Sequence, residues 1–238
     1  MLLQLAKKHI GWGFDKMRAA IKLYGYAWNH KRIRRVYCEL ALNLRIKPKK
    51  RLPSREKRVL EQPLKPNYCW SIDFMSDALV SGQRFRTFNV LDDFNRQALG
   101  ITISKNTPSQ YVINYLDFIA ESRGYPEVIR VDNGPEFIAK IFLQWAKKHQ
   151  IEVRHIQPGK PAQNAFIERF NRTYREGVLD AYWFGSIEEV QAITDQWLNE
   201  YNYQRPHEAL RRLTPIGFLQ AFKNGCTETG LSIAAGSQ

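Results

Sequence analysis

Cysteine is scarce in this sequence: three among 238 residues, Cys38, Cys69 and Cys226, all far apart. An odd, sparse set argues against a disulfide framework and fits a reducing compartment. Long apolar runs are also missing. None approaches 18 residues, so no membrane-spanning helix is expected, and the stretch from Met1 to Lys8 is too short and too charged for a signal peptide. Acidic side chains are the minority, 23 against 36 Lys and Arg, giving a formal charge of +13. What is present is ordinary for a folded protein. Hydrophobic residues make up 44% and aromatics 13%, which excludes wholesale disorder, and the length allows one or two domains with a real core. The basic excess points to a polyanionic partner, most often nucleic acid.

The charge is unevenly placed. Residues 1–66 hold 18 basic and 4 acidic side chains, a net of +14, while residues 67–238 hold 18 and 19, a net of −1. Within the basic part, residues 1–44 read as helices. Phe14, Met17, Ala20, Ile21 and Tyr24 recur at helical spacing up to Gly25. Asn29 is a candidate N-cap for a second helix with Ile33, Val36, Tyr37 and Leu40 on one side. Lys31, Arg32, Arg34 and Arg35 crowd that second helix. Two short helices about a glycine turn, the second basic, read as a helix-turn-helix-like DNA-binding region or as a solvated basic helix supporting the next domain. Residues 45–66 read as a linker, rich in Lys and Arg (Lys49, Lys50 and Arg51 among them) and broken by four prolines. It reads either as an extended strap on phosphates or as a solvated hinge.

From Tyr68 the pattern changes. Tyr68–Phe74, Phe85–Leu91 and Ala98–Ser104 are short, β-branched and aromatic, and read as a three-stranded meander. Next come helical spacing over 109–122, a strand at Val128–Val131, a helix over 136–149, a strand at Ile151–Ile156, and helices over 163–180 and 186–203. This order predicts an α/β fold, a mixed five-stranded sheet flanked by helices over residues 67–222, with a small polar tail at 223–238. Three carboxylates stand out by placement. Asp73 lies near the end of the first strand, Asp132 ends the fourth, and Glu168 sits in a helix, with 35 residues between the last two. Function in open α/β sheets gathers at the carboxyl ends of strands. Three close carboxylates need a compensating cation, and two Mg²⁺ ions suit in-line displacement at phosphorus. Taken singly, each reads better as structural: Asp73 and Asp132 as strand caps, Glu168 as a surface helix residue.

The sequence resembles the DDE transposases of bacterial insertion sequences, specifically the second-frame product of the insertion-sequence-three family. The resemblance covers about residues 12–219. It rests on Trp70-Ser-Ile-Asp-Phe-Met75, on the block Phe85 to Arg96, on Ile129-Arg-Val-Asp-Asn-Gly-Pro-Glu-Phe137, and on Gln157-Pro-Gly-Lys-Pro161 leading to Asn164 and Ile167-Glu-Arg-Phe-Asn-Arg172. The block Tyr201-Asn-Tyr-Gln-Arg-Pro-His-Glu-Ala-Leu210 completes it. The resemblance implies a ribonuclease-H-like core similar to retroviral integrases. It also implies that Asp73, Asp132 and Glu168 form a catalytic and metal-binding triad holding Mg²⁺, or alternatively Mn²⁺. The implied reaction is DNA cleavage followed by strand transfer. The implied partners are DNA (element ends and target), further copies of the chain assembled on it, and the upstream-frame product of the same element. The implied location is the bacterial cytoplasm, at the nucleoid. The loop Gln157–Pro161, with Lys160, matches a mobile loop beside the active site, or is an ordinary strand-to-helix connection. Asn164, Glu168, Arg172 and Arg175 follow 4, 4 and 3 spacings on one helix face, which makes the Asn and the two Arg candidate DNA contacts; the competing reading is i,i+4 pairing of Arg172 with Glu168 or Glu176.

Other residues are read as structural. Asp92 and Asp93 are expected in a turn before Arg96. Glu136 is expected at a helix start, where a carboxylate favours the dipole. His207 is expected to pack or to face DNA. His9, His30, Cys38 and Cys69 lack zinc-ligand spacings, so no zinc site is expected, and Cys69 is expected inside a strand. The Trp and Tyr residues of 182–203 are expected in the core. The competing function is a non-catalytic DNA-binding regulator of transposition; a plain nuclease with the same fold is a third.

Overall fold

The computed structural model describes residues 1–44, 62–157 and 164–225. Most of the 45–66 linker, with Lys49, Lys50 and Arg51, lies outside the described residues. So do Lys160 with most of its loop and the tail from Cys226.

Three helices come first: α1 (Leu2–Lys8), α2 (Phe14–Leu23) and α3 (His30–Glu39). Gly25 closes the α2 turn with φ 86°, a backbone conformation that favours glycine. Asn29 caps α3 as expected, its side chain accepting the Lys31 amide at 2.8 Å. Leu2, Leu5, Trp12, Met17, Ile21 and Tyr37 bury one another in a small separate core. Lys31, Arg32, Arg34 and Arg35 are therefore left on the exposed side of α3.

The sheet is the expected one. Strands β1 (Cys69–Ala78), β2 (Arg84–Asp92) and β3 (Ala98–Ser104) form an antiparallel meander. Strands β4 (Val128–Val131) and β5 (Glu152–His155) join in parallel, in the order β3-β2-β1-β4-β5. Between them stand α4 (Ser109–Arg123), α5 (Pro135–Ile138) and α6 (Lys140–Lys148). After β5 come α7 (Ala165–Tyr174), continued by a π-helical turn at Arg175–Leu179, then α8 (Ile187–Tyr203) and α9 (Pro215–Lys223).

Strand periodicity divides β1 between two cores. Trp70 and Ile72 point to the side covered by α4, α5 and α6, where Leu116, Phe137 and Phe142 are wholly buried. Met75 points the other way, with Ile167, Phe170 and Tyr174 of α7. Asp73 shares the Met75 side, and so faces α7. The edge strand β3 is closed by side-chain amides from α8. Asn202 accepts from the Ala98 amide (3.0 Å) and donates to its carbonyl (2.8 Å). Gln191 accepts from the Ile103 amide (3.2 Å) and donates to the Ile101 carbonyl (3.1 Å). Exposed strand edges invite pairing with other chains, and these two amides occupy this one.

Four expectations need correction. First, β1 runs five residues past Asp73, because Phe74–Ala78 continue to pair with β2 as far as Ala78 opposite Arg84. Asp73 is thus mid-strand. Second, the expected 136–149 helix breaks at Ala139. The Glu136 carbonyl, which a continuous helix would give to Lys140, is taken by the Ser109 hydroxyl at 2.8 Å. Third, the helix expected through 180 widens after Tyr174, where Trp197 of α8 lies so close that a Cβ at Gly177 would meet its Nε1 at 2.6 Å. Fourth, not all aromatics of 182–203 are internal. Trp197 and Tyr201 pack on Phe170, but Trp183 is 89% exposed, and Tyr182 and Tyr203 are also exposed.

Candidate active site

The site lies where β1, β4 and α7 meet. Asp73 is held from two sides: Oδ1 accepts the Phe74 amide and Oδ2 accepts Asn171 Nδ2, both at 2.8 Å. Asn171 is itself positioned by Asn89 of β2, whose Nδ2 donates to Asn171 Oδ1 at 2.7 Å. Asn89 is the direct cross-strand neighbour of Asp73. The relay Asn89–Asn171–Asp73 therefore fixes α7 against the sheet through the carboxylate. Burial is the first cause, and the charges of Asp132 and Glu168 the added one, that push the Asp73 carboxyl up to about 6. Its two hydrogen bonds oppose that rise without cancelling it.

Asp132 follows β4, at the strand's carboxyl end. Its Oδ1 accepts the Gly134 amide at 2.9 Å. A Cβ at Gly134 would come within 2.9 Å of that oxygen, so glycine is what permits the approach. Asn133 donates to the Ile156 carbonyl (3.1 Å), and His155 Nδ1 lies 3.2 Å from the Asp132 carbonyl, tying this turn to the end of β5. Glu168 lies on the exposed stripe of α7. Asp132 and Glu168 both lie near enough to Asp73 to act on it electrostatically. Among the described residues, no three His, Cys, Asp or Glu side chains close into a complete metal-ligand set. Mg²⁺ does not need one. It is commonly held by one or two carboxylates and completed by water and substrate phosphate. The donors here are all hard oxygens, and a carboxylate raised by burial first and by two like charges in addition suits a divalent cation.

The remaining predicted residues sort unevenly. Arg172 is exposed on the Glu168 stripe and makes no ion pair within the described residues, so the pairing with Glu168 or Glu176 is not formed. Arg175 is occupied: it binds Asp77 (3.1 Å), Asp180 (3.6 Å) and the Ser76 carbonyl (3.0 Å). Asn164 departs from the shared face, because it is buried at the start of α7. Asp92 and Asp93 do sit in a buried turn, at the other end of the sheet from Asp132. Asp92 accepts the Asn67 and Phe94 amides at 2.9 Å, and Asp93 pairs with Arg130 at 2.6 Å. Glu136 starts α5 as expected and pairs with Arg86. His207 packs edge-on against Tyr201 at 4.9 Å. Cys69 is buried in β1, and its thiol is pushed up by burial.

Sequence reasoning missed Asn171 and Asn89. The available signal was small: Asn171 lies three residues after Glu168, and Asn89 sits in an otherwise apolar strand. A buried amide needs partners, so each asked for one.

This arrangement of a mixed five-stranded sheet and flanking helices is that of an integrase-type core. Two family models described as integrase core domain match the chain, at residues 63–161 and 149–215. In structure, the chain is similar to a chain of the simian T-cell lymphotropic virus intasome in complex with PP2A regulatory subunit B56 gamma. The TM-score is 0.55 at 17% identity, over 91% of this chain and 73% of that one, which places the fold with the ribonuclease-H-like integrases. In sequence, the chain is 39% identical over 217 residues to the insertion element IS407 uncharacterized 31.7 kDa protein of Burkholderia multivorans, spanning 91% of this chain and 78% of the relative. It is 25% identical over 218 residues to the putative transposase InsK for insertion sequence element IS150 of Escherichia coli, spanning 87% and 77%. The chain belongs to the DDE transposases of the insertion-sequence-three kind, and its function is that of a transposase with an integrase core.

Proposed function

We propose that the chain cleaves and joins DNA strands by metal-dependent polynucleotidyl transfer, with Asp73, Asp132 and Glu168 as the catalytic carboxylates. The single observation that carries this reading is Asp73. It is a carboxylate held by Asn171 and the Phe74 amide, and raised to about 6 by burial and by its two acidic neighbours. Such crowding costs stability, and a site retains it where a cation is to be bound. Mg²⁺ or Mn²⁺ held by the three carboxylates would supply charge neutralisation at the scissile phosphate and lower the barrier to attack by an oxygen nucleophile. The chain's own groups do the rest. Asn171 and the Phe74 amide orient Asp73, the Gly134 amide orients Asp132, and Arg172, on the Glu168 stripe, meets the phosphate backbone. Water is the first nucleophile and releases a 3′-hydroxyl, which then attacks a second phosphodiester. The exposed cations of α3 grip DNA, and several copies assemble on it.

The test is a strand-joining assay with Mg²⁺, on duplexes carrying the DNA that flanks the gene. Asp73→Asn, Asp132→Asn and Glu168→Gln should each lower joining by at least about 100-fold while DNA binding persists, since each removes several kcal/mol of charge stabilisation. Full activity in all three variants sinks the assignment. Binding without joining in the unaltered chain favours the regulator reading, and cleavage without joining favours a nuclease.

A further inference from the structure

Asn89 occupies a place where an apolar side chain would pack well. It stands wholly buried in the middle of β2, between Phe88 and Val90, which belong to the core on the other side of the sheet. Its cross-strand neighbours are Asp73 on β1 and Ile101 on β3. The side it faces is the one covered by α7, where Phe85, Leu91, Ile101, Ile167 and Phe170 form the core. Its Nδ2 donates to Asn171, but its own Oδ1 is buried with no hydrogen-bond partner among the described residues. A hydrogen bond contributes about 1 kcal/mol net, whereas a buried polar atom left unpaired costs about 1–3 kcal/mol. Asn89 by itself therefore brings no net stability, and its presence calls for another cause.

The direction of the Asn89–Asn171–Asp73 relay is set from the carboxylate end. An ionised carboxylate only accepts, so Asn171 turns Nδ2 to Asp73 Oδ2 and presents Oδ1 to β2. The two ends of an amide are nearly alike in shape, so hydrogen bonding decides which way it points. An apolar side chain at position 89 would strand Asn171 Oδ1, and Asn89 supplies the donor that holds it. A carboxylate has about four acceptor positions; the Phe74 amide and Asn171 take two of them, leaving about two for a cation. We propose that Asn89 is a positioning residue for divalent-cation binding: through Asn171 it keeps Asp73 oriented with its remaining lone pairs open to the ion. The proposal rests on the reading that Asp73 is a metal ligand. Hydrogen-bond partners of metal-binding groups govern affinity by about 10–100-fold without touching the ion. Asn89 stands one bond further out, so its effect passes through Asn171.

The experiment titrates the full chain, free of DNA, with Mn²⁺ and reads unbound Mn²⁺ by electron paramagnetic resonance. The binding that Asp73→Asn abolishes is assigned to the site. Asn89→Leu, close in size but without a donor, should weaken that binding by at least about 10-fold, and Asn171→Leu by at least as much. In the Asn171→Leu background, Asn89→Leu should change it by less than about 2-fold, because the link it acts through is already gone. Urea unfolding in chelator reads the structural part, and near-ultraviolet circular dichroism verifies packing during the titration. Should Asn89→Leu not fold, Asn89→Val carries the same expectations. A lowered urea midpoint with unchanged Mn²⁺ binding in Asn89→Leu overturns the proposal and leaves Asn89 a structural contact. Equal losses with and without Asn171 also overturn it, since Asn89 would then act by another route. Failure here is separable from failure of the catalytic reading. Mn²⁺ binding that survives Asp73→Asn removes the triad, and this proposal with it. Binding lost in Asp73→Asn and kept in Asn89→Leu removes only the relay.

Discussion

Asp73→Asn should stabilise the protein in the presence of a chelator, although it removes a proposed catalytic group. Burial, Asp132 and Glu168 raise the folded-state carboxyl from 3.8 to about 6. The folded chain therefore binds the proton more tightly than the unfolded chain. The stability this supplies is complete below about 3.8 and is lost as pH rises through about 6. Two units correspond to about 3 kcal/mol of cost at pH 7.5, of which about 1.4 kcal/mol develops between pH 5 and pH 7.5. Asparagine carries no charge at any of these pH values and escapes the cost. It also gives up one hydrogen bond, since its amide nitrogen cannot accept from Asn171 Nδ2, and that offsets about 1 kcal/mol. The net gain is about 2 kcal/mol at pH 7.5, a rise in melting temperature of about 4–8 °C for a chain of this length. At pH 5 the rise should shrink to within about 2–3 °C of zero. Calorimetry in chelator at both pH values measures it, and adding Mg²⁺ should raise the melting temperature of the unaltered chain more than that of the variant. A variant that melts below the unaltered chain at pH 7.5 in chelator refutes the reasoning. So does a difference that is the same at both pH values.

Arg130→Ala leaves Asp93 buried without its 2.6 Å partner and should cost about 3–5 kcal/mol in urea unfolding; a loss under about 1 kcal/mol would mean the pair contributes little. Asn202→Ala frees the amide and carbonyl of Ala98 at the sheet edge, and should cost about 2–3 kcal/mol and promote concentration-dependent association, read by light scattering. Replacing Lys31, Arg32, Arg34 and Arg35 together by Ala should flatten the salt dependence of DNA binding by about 0.9 for each phosphate that α3 no longer neutralises. An unchanged slope would show that α3 is only a solvated basic helix.

Much of the scaffold is legible along the chain because its causes are local. The β-branched meander, the helix over 109–122, the strand Val128–Val131 and the Asn29 cap depend on residues within a few positions of one another. The placement of Asp132 at a strand end before Asn133-Gly134 is equally readable, since a glycine there already signals close backbone approach. Boundaries fail where a distant partner intervenes. Ser109 takes the carbonyl that would have carried a helix across Ala139, and Trp197 occupies the space beside Gly177 where the helix widens. Trp183 misleads in the other direction, because it lies in the connection between the π-helical turn and α8, where helical spacing does not apply.

The candidate site divides along the same line. The residue types, their order and the 35-residue interval are properties of the sequence, and together with the resemblance to the transposase family they nominate Asp73, Asp132 and Glu168 as candidates. The segregation of +14 into the first 66 residues is likewise a matter of counting. The tertiary structure decided the rest. It set Asp73 in mid-strand against α7, selected Asn171 and Asn89 to hold it, buried Asn164, and paired Arg175 with Asp77 and Asp180. Electrostatic energy depends on distance in space and on burial, and both quantities exist only once the chain has folded.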